Sequence, residues 1–191
     1  ANCLKFENLD EIISTAVKNA KRAIELFEGN RDECFVALDV GPLGKMLEPL
    51  GDMPFERAVE IFSESIKLGA ENGADLVIIE TMTDSYETKA ALLAAKESCD
   101  LPVFVTNAYD ETGKLLTGAS PKAMIALLEG LRADAIGINC ALGPHQMKEI
   151  AKEYTEYSSL PVIVSPNAGM PRTENGRTVF DVDAEEFSLV M

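Results

Sequence analysis

Asp39, Glu80, Asn139, Cys140 and Asn167 share a setting: each stands where an apolar, often β-branched run gives way to polar residues. Cys140 follows Gly137-Ile-Asn139 and precedes Ala141-Leu-Gly-Pro144, a turn into a helix. A helix N-terminus beside a thiol favours the thiolate, the form that a catalytic nucleophile or a zinc ligand requires. The plain alternative is a buried cysteine used as a small hydrophobe. Cys3 in the N-terminal loop, Cys34 at a strand start and Cys99 at a helix end read as structural or incidental. Glu80 closes the run Leu76-Val-Ile-Ile79 and could hold a substrate ammonium, act as a base or bind a metal. It could equally be a structural carboxylate bonded to backbone amides. Asp39 carries the same ambiguity, and Gly41-Pro42 beside it point to a turn. Asn167 lies in Ser165-Pro-Asn-Ala-Gly-Met-Pro171, a stiff turn whose amide can donate, accept or weakly ligate a hard cation. His145 is the sole histidine, which excludes histidine triads and multi-histidine metal sites within the chain. One residue past Pro144, it reads as a first-turn surface residue. No lysine stands at a strand end, which argues against Schiff-base aldolase chemistry.

The elements that position these residues follow from periodicity. Cys34–Val40, Asp75–Glu80, Pro102–Thr106, Ala135–Asn139 and Pro161–Ser165 read as buried parallel strands. A first helix carries Leu9, Ile12, Ile13, Ala16, Val17, Ala20, Ile24 and Phe27 on one face, capped by Asn8 or Asp10 and ended by Gly29. Further helices are expected over Phe55–Asn72, Tyr86–Ser98, Pro121–Leu131, Pro144–Tyr157 and Asp183–Met191. Ser120 and Pro121 stand in the cap and first-turn positions of theirs. Strand and helix alternating at roughly thirty residues per unit imply right-handed βαβ units and a parallel sheet.

Two α/β architectures compete, an open doubly wound sheet and a closed (βα)8 TIM barrel. The chain has neither the G-x-G-x-x-G turn of a dinucleotide fold nor a P-loop. Polar groups at the C-terminal ends of successive strands are the habit of a barrel, which is the expectation taken here. Such a barrel runs to about 250 residues and eight strands. With 191 residues and about five strand–helix units, the chain reads as an incomplete barrel lacking both ends. Its 191 residues form one partial domain in this reading.

The composition, 47% hydrophobic and 26% charged with a net charge of −15, is that of a soluble domain. A polyanion of this kind repels phosphate backbones and anionic lipids, so neither nucleic acid nor membrane is expected as a partner. No apolar run approaches the roughly 18 residues needed to span a bilayer, and no signal peptide is evident. Four irregularly spaced cysteines do not read as a disulfide framework and suit a reducing cytoplasm.

Four segments together carry a resemblance. They are Asp39-Val-Gly-Pro-Leu-Gly-Lys-Met-Leu-Glu-Pro-Leu-Gly51, Gly73-Ala-Asp-Leu-Val-Ile-Ile-Glu-Thr81, Gly137-Ile-Asn-Cys140 with Gly143-Pro144, and Pro166-Asn-Ala-Gly-Met-Pro171. In order and spacing they resemble the homocysteine-binding domain of cobalamin-dependent methionine synthases. That family also includes betaine– and S-methylmethionine–homocysteine methyltransferases. The Gly-Pro-Leu-Gly and Pro-Asn-Ala-Gly forms, with Leu115-Leu-Thr-Gly118, look closer to the cobalamin-dependent branch.

The resemblance implies a (βα)8 barrel that holds zinc through three cysteines, of which Cys140 matches the first. The other two form an adjacent pair at the family's last strand, which this sequence does not reach. The family's first strand is also absent, and Ala1-Asn2 look like the loop after its second. Glu80 matches the glutamate for the substrate ammonium, and Asn167 an asparagine beside the zinc. Asp39 lies in a family motif, and Asn139 directly precedes the zinc cysteine; both are grouped with the substrate-binding residues. The implied chemistry is a zinc-activated homocysteine thiolate taking a methyl group from methylcobalamin to give methionine. Folate- and cobalamin-binding domains of the parent chain would hold the other reactants. With one zinc cysteine of three, this piece is expected to hold zinc weakly and to be inactive alone, and its uncovered sheet edges imply self-association or partial disorder at the ends. The alternatives are a cobalamin-independent enzyme using betaine or S-methylmethionine, and an inactive assembly piece.

Overall fold

Alternation of apolar strands with amphipathic helices organises the chain, as a computed structural model describes it for residues 8–169 and 171–191. The expectations for Cys3 and for the Ala1-Asn2 loop lie outside the described residues. In chain order the elements are α1 (Leu9–Leu26), β1 (Ala37–Val40), α2 (Phe55–Glu71), β2 (Leu76–Met82), α3 (Ser85–Ser98), β3 (Val103–Asn107) and α4 (Pro121–Gly130). There follow β4 (Ala135–Asn139), α5 (Pro144–Tyr157), β5 (Val162–Ser165), the short strands β6 (Arg172–Glu174) and β7 (Arg177–Val179), and α6 (Ala184–Val190). One sheet takes β1 to β5 in chain order, and β6 pairs with β7. Simple chain order, without the reversal that defines a doubly wound sheet, is the winding of a TIM barrel. The fold is therefore an incomplete barrel of five strand–helix units. Among the described residues no helix is long and apolar enough to cross a membrane.

The chain divides into two compact units, and strands β2 and β3 pass through both. One unit comprises the chain up to Ile79 together with Tyr86–Phe104. Within it β1 pairs in parallel with β2, Asp39 standing opposite Ile78. Ala58, Phe62, Ile66 and Gly69 form the buried stripe of α2, at helical spacing. Fully burying a side chain such as Phe62 or Ile66 contributes about 1.5–3 kcal/mol. Gly69 lets α2 approach β1 closely, because a Cβ there would meet the side chain of Leu38. Helix α3 is alanine-rich and buried along most of its length, at Ala90, Ala91, Leu92, Ala94 and Ala95.

The other unit comprises Glu80–Ser85 and Val105–Met191. All five residues of β4 are buried, as a strand covered on both faces must be. It pairs in parallel with β5, Asn139 opposite Ser165. Gly137 makes that pairing possible, because a Cβ there would meet the carbonyl oxygen of Ile163. Ser120 caps α4 by accepting from the Ala123 amide, with Pro121 in the first turn as expected. Tyr109 and Tyr154 share a buried hydroxyl–hydroxyl hydrogen bond of 2.9 Å, and burial pushes both phenols well above their usual range.

Several expectations need correction. Helix α1 ends at Leu26 with an extended Phe27, not at a left-handed Gly29, and Asn8 stands at its N-cap without a side-chain cap bond. Strand β1 starts only at Ala37, because Arg31–Glu33 form a 3-10 turn that places Cys34 ahead of the strand. Strand β2 runs on past Glu80 to Met82. The β6–β7 hairpin was not anticipated, although Asn175 and Gly176 at its tip both have positive φ, as an Asn-Gly type I′ turn requires.

Candidate functional site

Glu80 and Cys140 each lie one residue from a hydrogen-bonded pair, Thr81 and Asn139, that joins the ends of β2 and β4. The Thr81 amide donates to Asn139 Oδ1 at 2.9 Å, and Asn139 Nδ2 donates back to Thr81 Oγ1 at 2.8 Å. Thr106, on β3, donates its hydroxyl to the same Oδ1 at 2.9 Å. Asn139 is 8% exposed, so its carboxamide oxygen accepts two internal hydrogen bonds in a largely dry setting. Buried amides of this kind are costly unless paired, and here the pairing is complete on the oxygen.

The backbone at these strand ends is unusual. Thr81, Cys140 and Ala141 have φ values of 60°, 57° and 59°. A β-branched residue in the left-handed region is an outlier, and each such residue costs of order 1–3 kcal/mol. The burial pattern of β2 shows the result. Val77 and Ile79 alternate as buried residues, then the next buried position is Met82, and Glu80 and Thr81 are both half-buried. The alternation shifts phase by one residue at the left-handed Thr81, an irregularity here called the Glu80–Thr81 bulge, and bulges re-aim side chains beside active sites. Beyond the bulge the segment is tied down again: the Met82 carbonyl accepts from the Ala108 amide at 3.0 Å and from Asn107 Nδ2 at 3.2 Å.

Cys140 is a half-buried free thiol at the start of the turn into α5. Its amide donates to the Ser165 carbonyl at 3.0 Å, and the Asn167 amide donates to the Leu142 carbonyl at 2.9 Å. Two backbone bonds thus lace the Cys140–Leu142 turn to the Ser165–Asn167 turn. Gly143 and Gly169 approach so closely that a Cβ on Gly143 would lie 3.0 Å from the Gly169 Cα. Ala141 lines an open cavity of about 250 Å³ together with Thr83, Ala108, Lys114 and Leu116.

The predicted residues therefore fall into two groups. Glu80, Asn139, Cys140 and Asn167 belong to one unit, where three strand ends meet; Asp39 belongs to the other, exposed on β1 beside an apolar hollow lined by Ile13, Leu43 and Phe62. Cys34 and Cys99 direct their thiols at the carbonyls of Asn30 and Ala95, local contacts that suit a structural reading. His145 is exposed in the first turn of α5, 2.7 Å from Glu186. Among the described residues no group of three or more histidine, cysteine or acidic side chains is placed to hold a metal ion. Two polar residues escaped the sequence reading, Asp84 and Glu87; Thr81 and Thr106 stand in the polar strand endings Glu80-Thr81 and Thr106-Asn107 but carried no assigned role. Asp84 and Glu87 are 5% and 4% exposed around the start of α3, where acidic residues usually read as dipole partners. Glu87 accepts from the Leu43 amide at 2.7 Å and so holds the Gly41-Pro-Leu43 loop after β1.

A model of the homocysteine S-methyltransferase family matches residues 2–191. Methionine synthase of Mycobacterium leprae (strain TN) is 35% identical over 142 residues, 72% of this chain and 12% of that protein. That of Mycobacterium tuberculosis (strain ATCC 25618 / H37Rv) is 32% identical over 142 residues, with the same two shares. The chain thus spans about 12% of the length of these curated relatives. Among solved structures, the apo form of the homocysteine methyltransferase MmuM from Escherichia coli superposes with a TM-score of 0.75 at 23% identity, over 88% of this chain and 63% of that one. Its oxidised form gives 0.68 at 25% identity, over 84% and 58%. At 23% identity the likeness to the apo form shows the fold alone.

Proposed function

This chain belongs to the homocysteine S-methyltransferase family, and we propose that it is part of the homocysteine-binding domain of a cytoplasmic methionine synthase. The observation that carries this reading is the joining of Glu80–Thr81 to Asn139–Cys140 at the ends of β2 and β4, in a chain matched to the family along residues 2–191. Glu80 supplies a carboxylate for the homocysteine ammonium. A charge-assisted pair of that kind contributes about 1.5–3 kcal/mol and would orient the amino acid. Cys140, on the laced turns with Asn167, supplies a thiol where the substrate's sulfur would come to rest. The hollow beside Ala141 leaves room for an approaching methyl donor. Asp39 is assigned to the substrate side through its family motif.

The reaction asks for a nucleophilic sulfur. A thiol with a pKa near 8.5 is mostly protonated at neutral pH and reacts poorly in that form. The sulfur must lose its proton, form a bond to the incoming methyl carbon and leave the donor with the electron pair of the broken bond. In this family zinc is expected to favour the deprotonated sulfur. The described residues do not fit such an ion by themselves, because Cys140 has no second and third ligand beside it. In this reading the remaining ligands are contributed by residues outside this chain, and no step is assigned here to the metal. Methylcobalamin and the folate would be held by other domains of the parent protein.

The test is homocysteine-dependent methyl transfer by the natural full-length protein, with methylcobalamin, betaine and S-methylmethionine offered in turn. Methionine from methylcobalamin supports the reading. Methionine from one of the other donors alone would favour the cobalamin-independent alternative. In the same protein Glu80→Gln should weaken homocysteine binding about tenfold or more by calorimetry. An unchanged affinity would remove Glu80 from the site.

A further inference from the structure

We propose that Asn139 is a positioning residue rather than a substrate contact, and that it sets the backbone of the Glu80–Thr81 bulge. This deepens the functional reading above and rests on it. Three observations carry the inference. The carboxamide oxygen of Asn139 accepts from the Thr81 amide and the Thr106 hydroxyl, which fills both its lone pairs, and its nitrogen donates to Thr81 Oγ1. Thr81 holds a left-handed conformation that its β-branched side chain disfavours, so something must hold it there. The bonds to Thr81 grip the residue at both its amide and its side chain, which is what fixing φ at that position requires.

The arrangement has a chemical logic. In a regular strand the Thr81 amide would continue the ladder, and Glu80 would keep to one face of a strict alternation. Handing that amide to a side chain releases the strand from its ladder at one residue and produces the phase change seen between Ile79 and Met82. Because Asn139 directly precedes Cys140, the same carboxamide couples the placement of the Glu80 backbone to that of the Cys140 backbone. The Thr81 amide, which can only donate, fixes which way the carboxamide faces, and the Thr106 hydroxyl adds a second donor to the same oxygen. Glu80 and Cys140, the two residues proposed to meet opposite ends of homocysteine, are thereby referred to one rigid group.

Glycine adopts the left-handed region without cost, so the test is a rescue. In the natural protein Asn139→Ala should raise KM for homocysteine about tenfold or more, with kcat changed less. Adding Thr81→Gly should bring KM back to within about threefold of the unsubstituted protein, because glycine no longer needs to be held. A double variant as poor as Asn139→Ala alone overturns the inference, since lost substrate contact is not restored by backbone freedom. So does an Asn139→Ala variant with unaltered KM. If Asn139→Ala does not fold, Thr106→Val removes one bond to the same oxygen. It should raise KM about threefold, Thr81→Gly should offset it, and absence of that offset is equally decisive. An unsubstituted protein that transfers no methyl group to homocysteine would sink the functional reading and this inference together. Activity without rescue would sink this inference alone.

Discussion

At the scale of single residues, the most exacting demands fall on positions with the least chemistry. Gly137 has no side chain, yet the pairing of β4 with β5 depends on that lack. Replacing it by alanine drives a methyl group into the Ile163 backbone, which cannot yield without opening the ladder that seats Asn139 opposite Ser165. Gly137→Ala should cost about 2–3 kcal/mol or more and lower the midpoint of thermal unfolding by roughly 5 °C or more. An unshifted melting curve would show that the strands can separate locally at no cost. Cys140 and Asn167 end in neighbouring turns joined by backbone bonds, as strand-end residues of adjacent units should. Thr81 and Thr106 stand in polar strand endings, but their shared partner was not legible. The role of Thr81 depends on a conformation that threonine disfavours, and a string of letters records preference, not its violation.

Elements follow the same rule. The bounds of β4 and α5 agree with the expected Ala135–Asn139 and Pro144–Tyr157, because a continuous apolar run and a Gly-Pro helix start leave little choice. The β6–β7 hairpin escaped notice because its strands, Arg172–Glu174 and Arg177–Val179, lack the apolar alternation that marks a half-buried ribbon. The Asn175-Gly176 pair was its one legible signal. Between β3 and α5 the tie is the Tyr109–Tyr154 hydroxyl pair, where two buried phenols satisfy each other. Tyr109→Phe would leave the Tyr154 hydroxyl in a dry interior without that partner, at a cost of about 1–3 kcal/mol. Replacing both by phenylalanine should cost less than replacing Tyr109 alone. Denaturant titration of the three variants measures the difference. A double variant that is the least stable of the set would mean that ring packing, not the hydroxyl pair, dominates.

For the whole molecule, the winding of the sheet was readable from the repeated strand–helix unit, and chain-order strands distinguish it from a doubly wound sheet. The division into two compact units was not readable, since β2 and β3 run through both and no linker marks a boundary. The metal question also belongs to this scale. Cys140 is one thiol, and zinc held tightly by protein alone takes three or four ligands. Elemental analysis of the purified 191-residue chain should find well under one zinc per chain, roughly a tenth or less. Stoichiometric zinc that survives dialysis would mean that Cys3, Cys34, Cys99 or His145 ligates it, and the assignment of Cys140 would fall.

The buried tyrosine pair has one more consequence. The chain contains no tryptophan and four tyrosines, so its near-ultraviolet absorption and emission come chiefly from phenols. Tyr86 and Tyr157 are exposed, while Tyr109 and Tyr154 are enclosed in the interior of one unit. Two of the four phenols therefore sit in that interior, Tyr109 just past β3 and Tyr154 on α5. Opening of that unit alone can be followed by light, with no dye and no label.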